Sequence, residues 1–182
     1  RKNMVIRDTT VYTDAVGTVY GPYNEGAYFK IYKLAGVKSI ADSANVRHIL
    51  IGTIDPQKQT PTRPKAQAKK TADSLLTLIK EKKVSFDTLV KTISEDRGSV
   101  DKGGSYGWMN ETTQFVEPFK NAGLEGTKGN ISVVETQFGY HIIEVLDVSA
   151  TRHTNYRLDQ IFKPIVPSEE TTKRIFDEAK QF

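Results

Sequence analysis

Two histidines that stand far apart in the chain both lie inside apolar, strand-like runs. His48 lies within Arg47–Ile51, and His141 lies within Phe138–Ile143, 93 positions later. An imidazole among apolar residues enters the interior of a fold, where its nitrogens need hydrogen-bonding partners. We therefore expect the two runs to be neighbouring strands of one sheet, with the two histidines side by side.

The composition is that of a globular protein without thiol chemistry. The 182 residues are 37% hydrophobic and 26% charged, with a formal net charge of +4 and no cysteine. The lack of cysteine excludes disulfides, thiol nucleophiles and thiolate metal sites. The lysines are spread through the predicted helices, which indicates solvated faces and argues against a nucleic-acid site. No apolar run approaches the roughly 20 residues of a membrane-spanning helix.

The segment between the histidines alternates strands with helices. Residues 44–51 are apolar enough for a central strand. Apolar residues recur at steps of four, three and four over 64–82, which predicts a helix, and Ser85 is a suitable N-cap for the next one. The other predicted elements are a strand over 105–109, a helix over 117–122 and a hairpin over 129–146. This order predicts an α+β fold: a four-stranded, mostly antiparallel sheet with three to four helices packed on it.

The flanks predict additional elements. Short strands are expected at 11–12 and 18–20, a returning strand at 27–34, and a strand at 155–166 followed by a helix capped by Ser168. The first hairpin is either a decayed repeat of the hairpin at 129–146 or shares only its turn chemistry. The apolar face of the last helix, including Ile175 and Phe176, needs a surface to pack on.

These patterns predict three parts. Residues 1–43 are expected to end a preceding module with a β-hairpin, 44–149 to form the main domain, and 150–182 to begin a following module with a strand and a helix. The chain starts at Arg1 without an initiating Met, so we expect it to be part of a longer protein. Any membrane anchor is then expected outside this sequence.

Five short motifs within 45–147 carry a family resemblance. They are Arg47-His48-Ile49-Leu50, Ser94-Glu95-Asp96, Gly103-Gly104-Ser105-Tyr106-Gly107-Trp108, Phe115-Val116-Glu117-Pro118-Phe119 and Phe138-Gly139-Tyr140-His141-Ile142-Ile143. In this order and spacing, the segment resembles the parvulin-type peptidyl-prolyl cis–trans isomerases. It looks most like the bacterial envelope foldases of the PpiD and SurA kind, in which such a domain is embedded in a larger chaperone.

The resemblance implies a role for each matching residue. His48 and His141 match paired histidines on the floor of the site, expected to hydrogen-bond each other and to tune Asp96 beside the twisting amide. Tyr106 matches a position that is usually Leu or Met, so its hydroxyl is expected to change the substrate cup. The implied substrate-binding set, in which Thr136 supports the histidines, is Tyr106, Met109, Phe115, Phe119, Thr136 and Phe138.

The chemistry of proline isomerisation suits these residue types. Rotation about an X–Pro bond breaks amide resonance, at a barrier of roughly 18–20 kcal/mol, but forms or cleaves no covalent bond. A dry apolar cup for the proline ring and polar groups that favour the twisted amide therefore suffice, without cofactor or metal. The loop cations Lys58, Arg63 and Lys65 are scattered, so no phosphorylated substrate is expected to be required.

Other interpretations remain open for these residues. The histidine pair could be structural, and the phenylalanines could belong to an ordinary core. A metal site with His153 as third ligand lacks a suitably spaced carboxylate, and a phosphate loop at Gly103-Gly104 lacks the following Lys-Ser/Thr. The expected function is isomerisation of X–Pro bonds in unfolded or partly folded chains. The alternatives are a peptide-binding module of the same fold and a purely structural segment.

The expected partners and location follow from the same resemblance. Unfolded or proline-containing polypeptides, including outer-membrane protein precursors, are the expected partners, with no nucleic acid and no metal. The expected location is the bacterial periplasm or cell envelope.

Overall fold

The computed structural model describes residues 9–55 and 58–180, which form two compact units. The core unit is Ser39–Thr154, and the flanking unit consists of the described parts of Arg1–Lys38 and Asn155–Phe182. Seven strands and four α-helices occur among the described residues. Their bounds are β1 Val19–Glu25, β2 Tyr28–Ala41, β3 Ala44–Gly52, α1 Lys65–Lys80, α2 Phe86–Ile93, β4 Ser105–Met109, α3 Glu117–Leu124, β5 Ile131–Thr136, β6 Gly139–Val148, β7 Arg152–Pro164 and α4 Glu169–Ala179. Within the same ranges, no helix combines the length and apolar character needed to cross a bilayer.

The core unit is built on a four-stranded antiparallel sheet in the order β4-β3-β6-β5. The central strands β3 and β6 are mostly buried, as their apolar sequences predict. Helices α1 and α2 cover one face, where Ile49 and Ile142 belong to their apolar cluster. Helix α3 covers the other face, where Val46 and Val145 pack with Phe119. The predicted α+β architecture is confirmed.

The helices of the core unit follow from their sequences. The Ser85 hydroxyl accepts a hydrogen bond from the Thr88 N–H and so caps α2, as predicted. In α1, Ala68, Ala72 and Ile79 are buried at the predicted spacing. Small alanines allow this helix to lie close to the sheet, and the opposite face keeps its lysines in solvent.

The flanking unit contains a three-stranded sheet in the order β1-β2-β7. Its buried cluster contains Val11, Tyr20, Tyr32 and Leu34. The strand predicted at 11–12 is wrong: Thr9–Tyr12 is a 3₁₀ turn, because burying Val11 in this cluster outweighs the β preference of a short segment.

The two flanks of the sequence are joined by strand pairing. Strand β7 pairs with β2, so chain segments expected to belong to a preceding and a following module contribute to one sheet. Helix α4 has no buried residue, and Ile175 and Phe176 remain exposed. Ser168 caps this helix by accepting a hydrogen bond from the Thr171 N–H, as predicted.

Candidate active site

The register of the two central strands brings the histidines together. In the antiparallel pair β3–β6, Leu50 lies opposite His141 and Ile143 lies opposite His48. The histidines are therefore diagonal neighbours on one face of the sheet, which is within side-chain reach. Their ring centroids lie 5.2 Å apart, and both side chains are buried. The expectation of neighbouring strands is confirmed.

The chain segment after α2 places Asp96 beside the first histidine. The Leu50 N–H donates to Ser94 Oγ at 3.2 Å, and the Glu95 N–H donates to the Leu50 carbonyl at 3.0 Å. These bonds hold the segment along β3, so that Asp96 Oδ2 lies 2.7 Å from His48 Nε2. Because a carboxylate can only accept, His48 Nε2 carries the proton in this bond.

Two hydroxyl groups complete the surroundings of the carboxylate. Ser99 Oγ donates to Asp96 Oδ2 at 2.6 Å, and the Tyr106 hydroxyl donates to Oδ1 at 3.1 Å. Ser99 is fully buried. The sequence reasoning missed Ser99, although a hydroxyl residue three positions after an Asp in a turn segment commonly bonds back to it.

These contacts fix the charge of Asp96. Burial by itself would raise the pKa of this carboxyl, but hydrogen bonds from His48 and Ser99, the charge interaction with His48 and the Tyr106 hydrogen bond outweigh burial. The pKa of Asp96 therefore lies well below its usual range, and the carboxylate stays anionic at any working pH. The site thus holds a fixed negative charge.

The second histidine has different partners from those expected. His141 Nε2 lies 2.9 Å from Thr136 Oγ1, as the supporting role of Thr136 predicts. Burial, and then the neighbouring His48, lower the pKa of His141 to about 3, so its imidazole is neutral. The expected hydrogen bond between the histidines is absent among the described residues, because each ring directs Nε2 to another partner and each Nδ1 is left without one.

A cleft of about 810 Å³ lies above this floor. Tyr106, Phe115 and Phe119 form an aromatic wall, with centroid distances of 5.6 Å and 5.3 Å between successive rings. Phe119 also packs edge-on against His48 at 5.0 Å and against His141 at 5.5 Å. The wall is wide enough and apolar enough to enclose a proline ring.

Three other residues predicted to bind substrate differ in their placement. Phe138 lines the cleft and is partly exposed. Thr136 is buried beneath His141 and does not line the cleft. Met109 does not line it either: this side chain is buried in the cluster under α3, and the lack of a side chain at Gly123 makes room for it. Met109 is therefore a core residue, because the end of β4 turns it towards α3.

Gly104 has a larger role than the tight turn expected for it. The His48 N–H donates to the Gly104 carbonyl at 2.9 Å, and a β-carbon at Gly104 would lie 2.4 Å from the His48 carbonyl oxygen. The residue also has a positive φ of 82°, which favours glycine. Only glycine allows the two backbones to come this close. The contact holds the start of β4 against β3 and so brings Tyr106 over the site.

Arg97 lines the cleft, whereas the three predicted loop cations do not. Arg63 forms an ion pair with Glu95, and Lys65 forms one with Glu135, so two of the three loop cations are already neutralised. Among the described residues, no group of three side chains is arranged to hold a metal ion. His153 does not line the cleft but lies 2.8 Å from Asp42.

Comparison with known proteins then decides the family. A family model described as the PPIC-type PPIase domain matches residues 29–149. The chain belongs to this family, the parvulin-type peptidyl-prolyl isomerases. The parvulin resemblance of the five motifs is confirmed, and the matched range contains all five of them.

Curated relatives of this parvulin chain support the same assignment. A chaperone SurA of Yersinia pestis is 32% identical over 146 residues, covering 76% of this chain and 32% of the relative. A probable parvulin-type peptidyl-prolyl cis–trans isomerase of Bordetella bronchiseptica is 38% identical over 104 residues, covering 56% of this chain and 34% of the relative. The chain thus spans about a third of the length of these relatives.

A solved structure shows the same fold. A peptidyl-prolyl isomerase from Candida albicans aligns with a TM-score of 0.50 and 24% identity, covering 57% of this chain and 62% of the other. At this identity the likeness concerns the parvulin fold alone.

Proposed function

We propose that the cleft binds an X–Pro segment of an unfolded or partly folded polypeptide and catalyses its cis–trans isomerisation. The observation that carries the proposal is the aromatic wall of Tyr106, Phe115 and Phe119 directly beside the fixed charge of Asp96. The wall encloses the proline ring, and the carboxylate lies within reach of the amide that must twist.

The barrier is lowered by disfavouring the planar amide. Resonance places partial negative charge on the carbonyl oxygen of the residue before proline and partial positive charge on the proline nitrogen. Twisting removes this separation of charge, so an anion beside the oxygen destabilises the planar form more than the twisted one. Exclusion of water by Phe115 and Phe119 acts in the same direction, because hydration of the carbonyl favours resonance.

The neutral ring of His141 supports this environment. A positive charge on His141 would oppose the field of Asp96 that acts on the amide. The pKa of His141, lowered to about 3, keeps this ring neutral, and its contacts with Phe119 hold the wall in place. We assign His48 and Thr136 to orienting Asp96 and His141 respectively.

Substrates are expected to need no phosphate group. Arg63 and Lys65 already have carboxylate partners, so binding a phosphate there would require breaking both ion pairs. A peptide pair that differs only in phosphorylation before proline tests this directly. Faster turnover of the phosphorylated peptide would contradict it.

The experiment that tests the activity is a protease-free isomerisation assay on short X–Pro peptides. The wild-type chain should accelerate exchange, and Asp96→Ala should lower turnover with the fold intact. Asp101→Ala is the matched control, because this carboxylate is exposed and lies outside the cleft. Full activity of Asp96→Ala would remove Asp96 from the mechanism.

A second candidate function is peptide binding without turnover. It is favoured by the Tyr106 hydroxyl, which already donates a hydrogen bond to Asp96 Oδ1 and takes up space beside Phe115 that a smaller side chain would leave to the proline ring. Chemical-shift changes on adding an X–Pro peptide, without accelerated exchange, would favour this module. If the peptide neither binds nor exchanges faster, a purely structural role is favoured.

For the whole protein, we propose a folding factor of the bacterial cell envelope in which this domain is embedded. The support is the similarity to the chaperone SurA over 76% of the chain. Its proposed clients are proline-containing unfolded chains, including outer-membrane protein precursors. Site-specific cross-linking from Phe138, a partly exposed cleft residue, should capture such chains in cells. Capture of cytoplasmic proteins alone would contradict the location.

A further inference from the structure

The three donors around Asp96 differ in their access to the cleft. His48 and Ser99 both bond to Oδ2 and are 4% and 0% exposed. Tyr106 bonds to Oδ1 and is 45% exposed, with its ring lining the cleft. Oδ2 is therefore held from inside the protein, whereas Oδ1 is held from the side on which a peptide would lie.

The surroundings fit the position of the phenol oxygen. A β-carbon at Gly98 would lie 2.8 Å from the Tyr106 oxygen, so glycine at this place leaves room for the hydroxyl. On its other side, the Tyr106 ring packs against Phe115 with a centroid distance of 5.6 Å. The side chain is thus held at both ends, by a ring contact and by the carboxylate.

We propose that Tyr106 is a positioning residue for the isomerase reaction, whose hydroxyl fixes the Asp96 carboxylate with Oδ1 toward the cleft. This inference rests on the proposed function. The two bonds to Oδ2 restrain the carboxylate group from one side and leave it a limited rotation about the Cβ–Cγ bond, which varies the position of Oδ1 relative to the amide. A third bond, made to Oδ1, narrows this rotation, which is the preorganisation that electrostatic catalysis requires.

The phenol remains a donor under all working conditions. Burial, and then the hydrogen bond to Asp96, raise the pKa of Tyr106 above its ordinary value. The hydroxyl therefore keeps its proton at neutral and mildly alkaline pH. Tyr106 acts through Asp96 and need not exchange a proton with the substrate.

The first test removes the hydroxyl and keeps the ring. In Tyr106→Phe, kcat should fall about tenfold, the effect of losing one hydrogen bond to a charged group, while KM stays within about twofold. Tyr106→Leu should in addition raise KM, because it removes part of the wall. The matched control is Tyr140→Phe, which deletes a tyrosine–carboxylate bond of 3.0 Å to Glu135 outside the cleft and should leave kcat unchanged.

The second test asks whether the hydroxyl acts through the carboxylate. In an Asp96→Ala background, Tyr106→Phe should cause no further loss of kcat. A tenfold loss that persists in this background would overturn the proposal, since the hydroxyl would then act on the substrate or the fold. An unchanged kcat in the single variant Tyr106→Phe would overturn it as well.

A third readout does not depend on turnover. The ¹³C resonance of the Asp96 carboxyl carbon at neutral pH should shift in Tyr106→Phe and stay in place in Tyr140→Phe. An unmoved resonance in Tyr106→Phe overturns the proposal whatever the kinetics. If the wild-type chain shows no turnover, the proposed function fails, and this resonance still decides separately whether the hydroxyl holds Asp96.

Discussion

The hairpins β1–β2 and β5–β6 share one geometry but carry different chemistry. Each has a two-residue loop, with Glu25 paired to Tyr28 in the first and Thr136 paired to Gly139 in the second. Counting from these pairs, Lys30 matches His141. In both hairpins the matching residues also touch: Lys30 Nζ lies 2.7 Å from Glu25 Oε2, and His141 Nε2 lies 2.9 Å from Thr136 Oγ1.

The difference between the two pairs lies in what covers them. The Lys30–Glu25 ion pair is partly exposed, with side-chain exposures of 24% and 31%. His141 and Thr136 are buried, because β6 is a central strand and Phe119 of α3 packs over His141. The hairpin therefore supplies the contact between two side chains. Burial then decides whether that contact is an ion pair in solvent or a hydrogen bond between neutral groups on the floor of the cleft.

Removing the Phe119 ring, which covers His141 of the second hairpin, should have the largest effect on activity. In Phe119→Ala, kcat/KM is expected to fall at least about a hundredfold, because the proline ring loses its wall and water reaches the histidines. The free energy of unfolding should fall by about 3 kcal/mol, because Phe119 is only 4% exposed and packs in the cluster under α3. Peptide exchange and chemical denaturation measure the two quantities.

Phe86→Ala is the matched control for that variant. Phe86 is buried in the cluster on the opposite face of the sheet, away from the cleft. This variant should lose at least as much stability while its folded fraction keeps its kcat/KM. If both variants lost activity only in proportion to stability, Phe119 would be an ordinary core residue.

Much of this arrangement could be predicted from the sequence because it depends on local patterns. The apolar runs around His48 and His141 predict central strands, and Ser85 predicts the start of a helix. Strand pairing then brings the histidines together without further information. The same local pattern, however, does not show that residues 11–12 form a 3₁₀ turn, since the burial of Val11 depends on residues elsewhere in the chain.

The finer geometry of the site could not be predicted in the same way. The choice between a His48–His141 bond and separate partners depends on Asp96 and Thr136, whose approach is set by three-dimensional packing. The burial of Met109 depends on the direction of a five-residue strand with a register shift. Side-chain direction at such irregularities is not encoded in a simple period.

The hydrogen bond between Thr136 and His141 provides the next test of the comparison between the two hairpins. Thr136→Val should lower the free energy of unfolding by about 2 kcal/mol, because it leaves a buried imidazole nitrogen and the Phe138 N–H without their partner. Thr136→Ser, which keeps the hydroxyl, should recover most of the loss. Denaturant titration measures both variants. A loss in Thr136→Ser without a loss in Thr136→Val would show that the methyl group, and not the hydrogen bond, matters at this position.

The buried histidine should also make stability depend on pH. The pKa of His141 is about 3 in the folded chain and about 6.5 in an unfolded one, so between these values the unfolded state binds the extra proton. Its contribution is fully present above pH 6.5 and is lost as the pH falls, by about 1 kcal/mol between pH 6.5 and 5.5.

Comparing how the free energy of unfolding changes with pH in the wild type and in His141→Phe isolates this contribution. His153 titrates with the opposite sign, because its hydrogen bond with Asp42 raises its pKa, but this contribution is common to both proteins. Asp96 contributes only below about pH 4, since its own pKa is lowered. The variant should therefore lose less stability than the wild type between pH 6.5 and 5.5. Parallel curves would mean that His141 is not neutralised by burial.

The smallest effect on stability is expected where the first hairpin is given a histidine. Lys30→His places an imidazole at the position that matches His141, beside Glu25 but without an equivalent cover. Its pKa should lie at or above about 6.5, because solvent and a neighbouring carboxylate favour the charged form. Stability and isomerase activity should hardly change, since exposed ion pairs contribute little. NMR titration of the new ring gives the pKa: a value near that of His141 would mean that hairpin geometry, and not burial on the central strand, sets the charge of the histidine.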